Sequence, residues 1–421
     1  MNVLVISQNE ICYNPRLAKA GDFLHSKGCK ITVLNPVVGV SSKEIYESFV
    51  SERDWTFIEN RLDKKSLKSY VKWIINSLCH VFFAFFWKYF RIKIGFNYVL
   101  SKNVLFTSTL IQKKSYDIVI TNLLELLPFT VYIKKKYNIP YLIFDSQEYF
   151  KGQYSKYEKY KYDWIIEAEN EYVHHANLTL ATTYAMLHKL KLEYKKSNNI
   201  LRVRNLPPKN LWIRSKNVNS DSTLKLIWHG MSINYGNCRG VHLLVEAIAK
   251  CKTDVHLYLQ GKLSTVDYIA FSKRIKKLNI EDKVTFLPPA KPEEIIKSIY
   301  KYDIGLAGEI PEEENQLLTS SNKLFDYIAA GLATIVPNLP GLKETVEYYN
   351  TGLLYEPTNL IQLSSLIDQL NLDRCTLKQY KLNSLNALSQ GLYWESDYEV
   401  VWRSIIEREK FINNIPTLAT I

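Results

Sequence analysis

The chain lays out the same alternation of short apolar runs and amphipathic segments twice, and this doubled rhythm limits its fold more than any single residue. Residues 3–6 form a continuous apolar run, as a parallel strand covered on both faces requires. Pro15 then suits the first turn of a helix whose Leu17, Ala20, Phe23 and Leu24 share one face, and Gly28 closes it. Further strands are predicted at 31–34, 118–121 and 141–144. After residue 222 the rhythm restarts, with strands at 224–228, 255–260, 304–306 and 334–336. Helices at 241–249, 293–300 and 322–330 lie between them, the last ended by Gly331. Such alternation implies doubly wound parallel sheets, and 421 residues exceed one ordinary core. The expectation is an α/β protein with two Rossmann-like domains facing each other across a cleft. They would span residues 1–207 and 223–390, joined by a linker at 208–222 that follows Asn205-Leu206-Pro207-Pro208. Open α/β sheets bind ligands at the carboxyl ends of their strands, so chemistry is expected in that cleft.

Composition narrows the partners. With 47% hydrophobic and 23% charged residues the chain is ordinary globular material, which excludes disorder. The net charge of +12 calls for something anionic. No zinc-finger pattern, RNA-recognition signature or basic region leading into heptads is present, so no nucleic-acid partner is expected. Six scattered cysteines with no CxxC pair suggest reduced thiols and a cytoplasmic protein. The opening residues lack the features of a signal peptide and read as a strand.

One stretch interrupts the rhythm. Residues 73–87, bounded by Trp73 and Trp87, read WIINSLCHVFFAFFW, within an apolar and basic segment of about 64–103. Lys64, Lys65, Lys68 and Lys72 precede the run, and Lys88, Arg91 and Lys93 follow it. Fifteen residues fall short of the roughly 20 a transmembrane helix needs. Two readings stand: a helix lying in a membrane interface, which would make the protein peripheral at the inner face of the plasma membrane, or a helix buried in the N-terminal domain.

No G-x-G-x-x-G follows either opening strand, and no P-loop lysine motif or Asp-x-Asp pair exists, which argues against dehydrogenase, ATPase and metal-anchored readings. A bound diphosphate would need helix N-termini and cationic side chains instead. The second half supplies them. Gly230, in the expected turn His229-Gly230-Met231-Ser232, permits close backbone approach, and Arg239-Gly240 precedes a helix. Ser320-Ser321-Asn322-Lys323 is expected to cap the helix that carries Asp326, gathering backbone N–H groups and the Lys323 ammonium on an anion. An ordinary capped helix with a solvated lysine is the alternative. His174-His175 has no partner at metal-ligand spacing.

The stretch SNKLFDYIAAGLATIVPNLPGLKETVE resembles the C-terminal signature of group 1 (family 4-like) glycosyltransferases of the GT-B fold. Asn14-Pro15-Arg16-Leu17, residues 144–150 (FDSQEYF), Arg204-Asn205-Leu206-Pro207, Gly230 with Arg239-Gly240, and Trp394-Glu395 are similar to further motifs of that family, in order along the chain. The resemblance implies retaining, metal-independent transfer from a nucleotide-diphosphate sugar, without a cofactor, to a glycan or lipid-linked acceptor in surface polysaccharide biosynthesis. It implies that Arg239 and Lys323 hold the diphosphate, that Asp326 binds the ribose, and that Gly230, Met231, Ser321, Asn322 and Leu324 complete the donor site. Gln147 and Glu148 would act beside the reacting sugar, with Asn14, Arg16 and Asn205 on the acceptor side. It also implies that a helix within 391–421 crosses back to the first domain.

Two departures qualify this. Leu318 stands where the family commonly has a donor-sugar glutamate, so that contact is either missing or moved to a neighbour such as Glu314 or Asn315. Gln147 replaces a common histidine and cannot shuttle protons at neutral pH. Both leave open a catalytically silent GT-B scaffold or a sugar-nucleotide epimerase as rival functions.

Overall fold

The computed structural model describes all residues except 40–42, 102, 106, 112–114, 154–158, 195–198, 215–222 and 414–421. The chain forms two compact units: Met1–Thr182 with Met186–Val203 and Tyr398–Ile421, and Thr183–Ala185 with Arg204–Asp397.

The first unit is built on a seven-stranded parallel sheet. Its strands are β1 (Asn2–Ile6), β2 (Lys30–Val37), β3 (Thr56–Arg61), β4 (Ile118–Thr121), β5 (Tyr141–Asp145), β6 (Leu178–Ala181) and β7 (Ile200–Arg202), in spatial order β3-β2-β1-β4-β5-β6-β7. Val3 pairs with Ile31 on one side and Ile118 on the other, and residues 3–6 are buried, as an apolar run covered on both faces must be. Strands β3, β6 and β7 were not predicted from the sequence. Asn14 caps the helix Pro15–Ser26 by accepting from the Leu17 N–H at 3.3 Å. Tyr398, from the last helix of the chain (Trp394–Asn413), is fully buried in this unit and meets Phe23 edge-on at 5.2 Å.

The apolar segment is longer than expected and departs from one of its two expected forms. It lies in a 24-residue helix, Leu67–Phe90, not in a 15-residue run, because Ser66 and Ser69 form a capping box upstream and Arg91 ends the helix with φ 55°. By length and composition it could cross a membrane, and only 11% of its most apolar window is buried. Burial inside the domain is therefore the wrong reading.

In the second unit six parallel strands run β10 (Val284–Leu287), β9 (Val255–Leu263), β8 (Leu224–Ile233), β11 (Ile304–Leu306), β12 (Ala333–Pro337) and β13 (Gly352–Tyr355). Leu226, Trp228, Leu257, Leu259, Ile304 and Ile335 anchor its core against Leu244, Ile248 and Phe271 from the covering helices. The turn expected at residues 229–232 is instead a continuation of β8, which runs to Ile233 through a register break between His229 and Ser232. Of the expected linker, 208–214 carries the short 3-10 turn Lys209–Leu211, and the rest lies outside the described residues.

Candidate functional site

The candidate donor site grows from the carboxyl ends of β8 and β11 and from the helix Asn322–Ala329 above them. Tyr327 fixes that helix in place. Its hydroxyl donates to the Leu306 carbonyl at 2.9 Å and accepts from the His229 N–H at 3.3 Å, tying the helix to both strands. Gly305 makes this packing feasible, since a Cβ there would sit 2.1 Å from the Tyr327 ring. Lys323, three residues before Asp326 and four before Tyr327, shares a helix face with both and is thereby held over the strand ends.

The charges converge tightly. The buried Lys323 ammonium lies 2.8 Å from Glu309 Oε1, 3.0 Å from Ser321 Oγ and 5.6 Å from the centre of the Trp228 ring. Both Glu309 carboxylate oxygens are shielded from solvent, although part of the side chain is exposed. Burial pushes the Glu309 carboxyl up, and the Lys323 charge outweighs it and leaves the group below its usual value. His229 is the opposite case: burial, reinforced by the Lys323 charge, lowers its pKa to about 3. Its Nε2 lies 3.4 Å from Asp326 Oδ2, so the contact is one between a neutral ring and a carboxylate, not an ion pair.

The backbone around these side chains is equally close. Gly240 has φ +63°, and a Cβ on it would meet the Gly308 carbonyl oxygen at 1.7 Å. The Ile310 N–H donates to the Cys238 carbonyl at 2.8 Å. These contacts join the loop that carries Arg239 to the loop that carries Glu309. Gly230 is constrained too, because a Cβ there would strike the Trp228 ring at 2.6 Å. Ser321 occupies the N-cap position of the Asn322–Ala329 helix, but its side chain makes no capping hydrogen bond and instead accepts from Lys323. Nearby, the buried polar atoms Ser320 Oγ and Trp228 Nε1 have no hydrogen-bond partner among the described residues. Buried polar groups are ordinarily satisfied, so orphans gathered beside one ammonium mark a place suited to an anionic, hydrogen-bonding ligand.

The other expected residues are placed as follows. Arg239 is exposed and Met231 is 92% exposed. Leu324 is turned into the core and its N–H already donates to the Ser321 carbonyl at 3.1 Å, so it offers nothing to a ligand. The Asn205 side-chain amide donates to Asn322 Oδ1 at 3.0 Å, which puts Asn205 beside Asn322 of the expected donor set. Leu318 presents its carbonyl to the Thr183 hydroxyl, Glu314 is exposed, and Asn315 is buried. In the first unit, Gln147 and Glu148 follow the carboxyl end of β5, and the Gln147 side-chain nitrogen is buried without a hydrogen-bond partner among the described residues. Arg16 is not at a surface: it is buried, bidentate to Asp145 at 2.7 and 2.8 Å, and donates to the Val203 carbonyl. Asn14 serves as a helix cap and accepts from Asn122 at 3.0 Å. Sequence reasoning missed Glu309. Its signal was position, directly beyond the carboxyl end of β11 where open sheets place ligands.

Among the described residues no group of three or more His, Cys, Asp or Glu side chains could hold a metal ion. Residues 224–373 match the family of glycosyl transferases group 1. Whole-chain likeness extends to HepE of Anabaena, solved with UDP, at 13% identity and TM-score 0.65, covering 97% of this chain and all of that one. Sucrose-phosphate synthase of Thermosynechococcus elongatus is similar at 13% identity and TM-score 0.67, with 98% and 100% covered. The lipopolysaccharide outer core galactosyltransferase WaaB is similar at 12% identity and TM-score 0.61, with 96% and 99% covered. A search of curated proteins finds no match. Residues 224–373 in the second unit thus match the group 1 glycosyl transferases, and the whole chain shares the two-sheet GT-B fold of these solved structures.

Proposed function

We propose that this protein is a glycosyltransferase that moves a sugar from a nucleotide-diphosphate sugar to a glycan or lipid-linked acceptor in surface polysaccharide synthesis, with retention and without a metal or cofactor. The observation that carries the proposal is the Lys323 ammonium, buried 2.8 Å from Glu309 beside a helix N-terminus whose N-cap side chain makes no capping bond. In this reading the diphosphate takes up the Lys323 charge together with the exposed Arg239 guanidinium. Asp326 accepts hydrogen bonds from the ribose hydroxyls. Charge developing on the departing diphosphate is stabilised by groups already in place, which is where such a site gains most rate. The orphan amide of Gln147 donates to a sugar hydroxyl, and Glu148 positions the acceptor. The first unit binds the acceptor and the second the donor, in the cytoplasm. That HepE was solved with UDP and that WaaB is a lipopolysaccharide galactosyltransferase support the donor and acceptor classes.

The test is turnover. UDP-, GDP- and ADP-sugars are incubated with the protein and a bacterial lipid-glycan extract, and nucleoside diphosphate release and labelled glycan are measured. One donor class should support transfer, and Lys323→Ala should reduce kcat by about 100-fold or more. Release of an epimerised nucleotide sugar without acceptor would favour an epimerase. Diphosphate binding without turnover would favour the silent scaffold, for which Leu318 is the main structural argument.

A further inference from the structure

The helix Leu67–Phe90 has two stripes with different roles. Ser69, Asn76, His80, Phe83 and Trp87 share one side, and this stripe holds the helix to its own domain. Asn76 and Trp87 are buried, His80 Nδ1 lies 2.8 Å from the Tyr98 carbonyl oxygen, and Phe83 stacks on Tyr98 at 5.5 Å. Trp87 meets Phe96 at 5.9 Å and Trp164 at 5.8 Å. Half a turn round lies the second stripe: Leu67, Val71, Leu78, Phe82, Phe85 and Tyr89, all exposed, Leu78 by 64% and Phe82 by 56%. An apolar stripe of this length on the surface marks a place of interaction.

Charge selects the partner. Residues 64–116 contain ten Lys or Arg and no Asp or Glu, against a net charge of +12 for the chain, so all the other residues together carry only +2. Arg91 pairs with Asp163, and Lys93 with Glu167 and Glu171, and these pairs help hold the helix end to the domain. Lys65, Lys68 and Lys72 lie at the other end of the apolar stripe. A helix pinned along one side cannot stand upright across a bilayer without losing those contacts. We propose that the Leu67–Phe90 helix is a docking surface on which the protein lies on an anionic lipid bilayer, its outer stripe immersed in one leaflet and its lysines on the lipid phosphates. This inference does not depend on the sugar chemistry above.

The full chain is mixed with vesicles of phosphatidylcholine alone, or with one quarter phosphatidylglycerol, and the bound fraction is read by flotation at low and high salt. Binding should be selective for the anionic vesicles and fall by about tenfold in Lys68→Glu/Lys72→Glu. It should be lost in Leu78→Gln/Phe82→Gln/Phe85→Gln, whose melting temperature should match wild type because all three side chains are exposed. Three results would each overturn the proposal. One is no binding by wild type, or binding that the triple variant retains. Another is binding that resists alkaline carbonate, as a spanning helix would. The last is a dimer in vesicle-free solution that the triple variant dissolves, showing that a second copy covers the stripe.

Discussion

Glu309 and Lys323 form the pair on which the donor site turns, and each constrains the other. In the ligand-free protein the carboxylate is the counterion that makes a buried ammonium tolerable, at 2.8 Å. Replacing it by an amide leaves Lys323 buried and unbalanced, at a cost of about 3 kcal/mol. Glu309→Gln should therefore lower the melting temperature, and saturating nucleoside diphosphate should close most of the gap, because phosphate supplies the missing negative charge. Scanning calorimetry with and without nucleotide checks this. The folded pKa of Glu309 is depressed, so its contribution is complete above the ordinary value of 4.5 and is lost as pH falls through the lower folded value. His229 gives a second pH signature. Unfolded, it gains a proton near pH 6.5; folded, not until about pH 3. Between these values the unfolded state binds more protons, so acid destabilises the protein. From pH 7 to pH 5 wild type should lose roughly 2 kcal/mol more than His229→Gln in urea unfolding.

At the level of elements, the loops that carry Arg239 and Glu309 are set by glycines that leave no room for a side chain. Gly240→Ala would put a methyl group 1.7 Å from the Gly308 carbonyl oxygen and hold an L-residue at φ +63°. It should cost about 2 kcal/mol of stability and weaken nucleotide binding more than tenfold by moving Arg239, measurable by denaturation and titration. The strands with continuous buried runs, such as residues 3–6 and 141–144, were legible because period and burial agree. Edge strands β3 and β10 and the three-residue β7 were not, because only partial burial or a handful of residues marks them, and the fully buried β6 was missed because Thr179 interrupts its apolar run. Lys323 and Asp326 could be read from their place on a helix start. For Glu309 only the position beyond β11 was legible, since its pairing with Lys323 spans fourteen residues of chain. Arg16 misled for a related reason: a conspicuous arginine near a first helix looks the same in sequence whether it meets solvent or a buried Asp145.

For the molecule as a whole, the last helix completes the first unit. Tyr398 is fully buried against Phe23 and near Asp145 and Arg16, and burial pushes its hydroxyl pKa far up. Tyr398→Ala should cost about 3 to 5 kcal/mol, seen as loss of the first unit's cooperative melting. Positive charge is distributed unevenly, with an excess in residues 64–116 that the donor site does not use. The proposed donor residues Lys323, Glu309, Asp326 and Arg239 all lie within the second unit. Isothermal titration of UDP, GDP and ADP into wild type and Lys323→Ala tests that placement most directly. One diphosphate should bind wild type and bind Lys323→Ala at least tenfold more weakly. Equal affinity for both proteins, or no binding to wild type by any of the three, would contradict it.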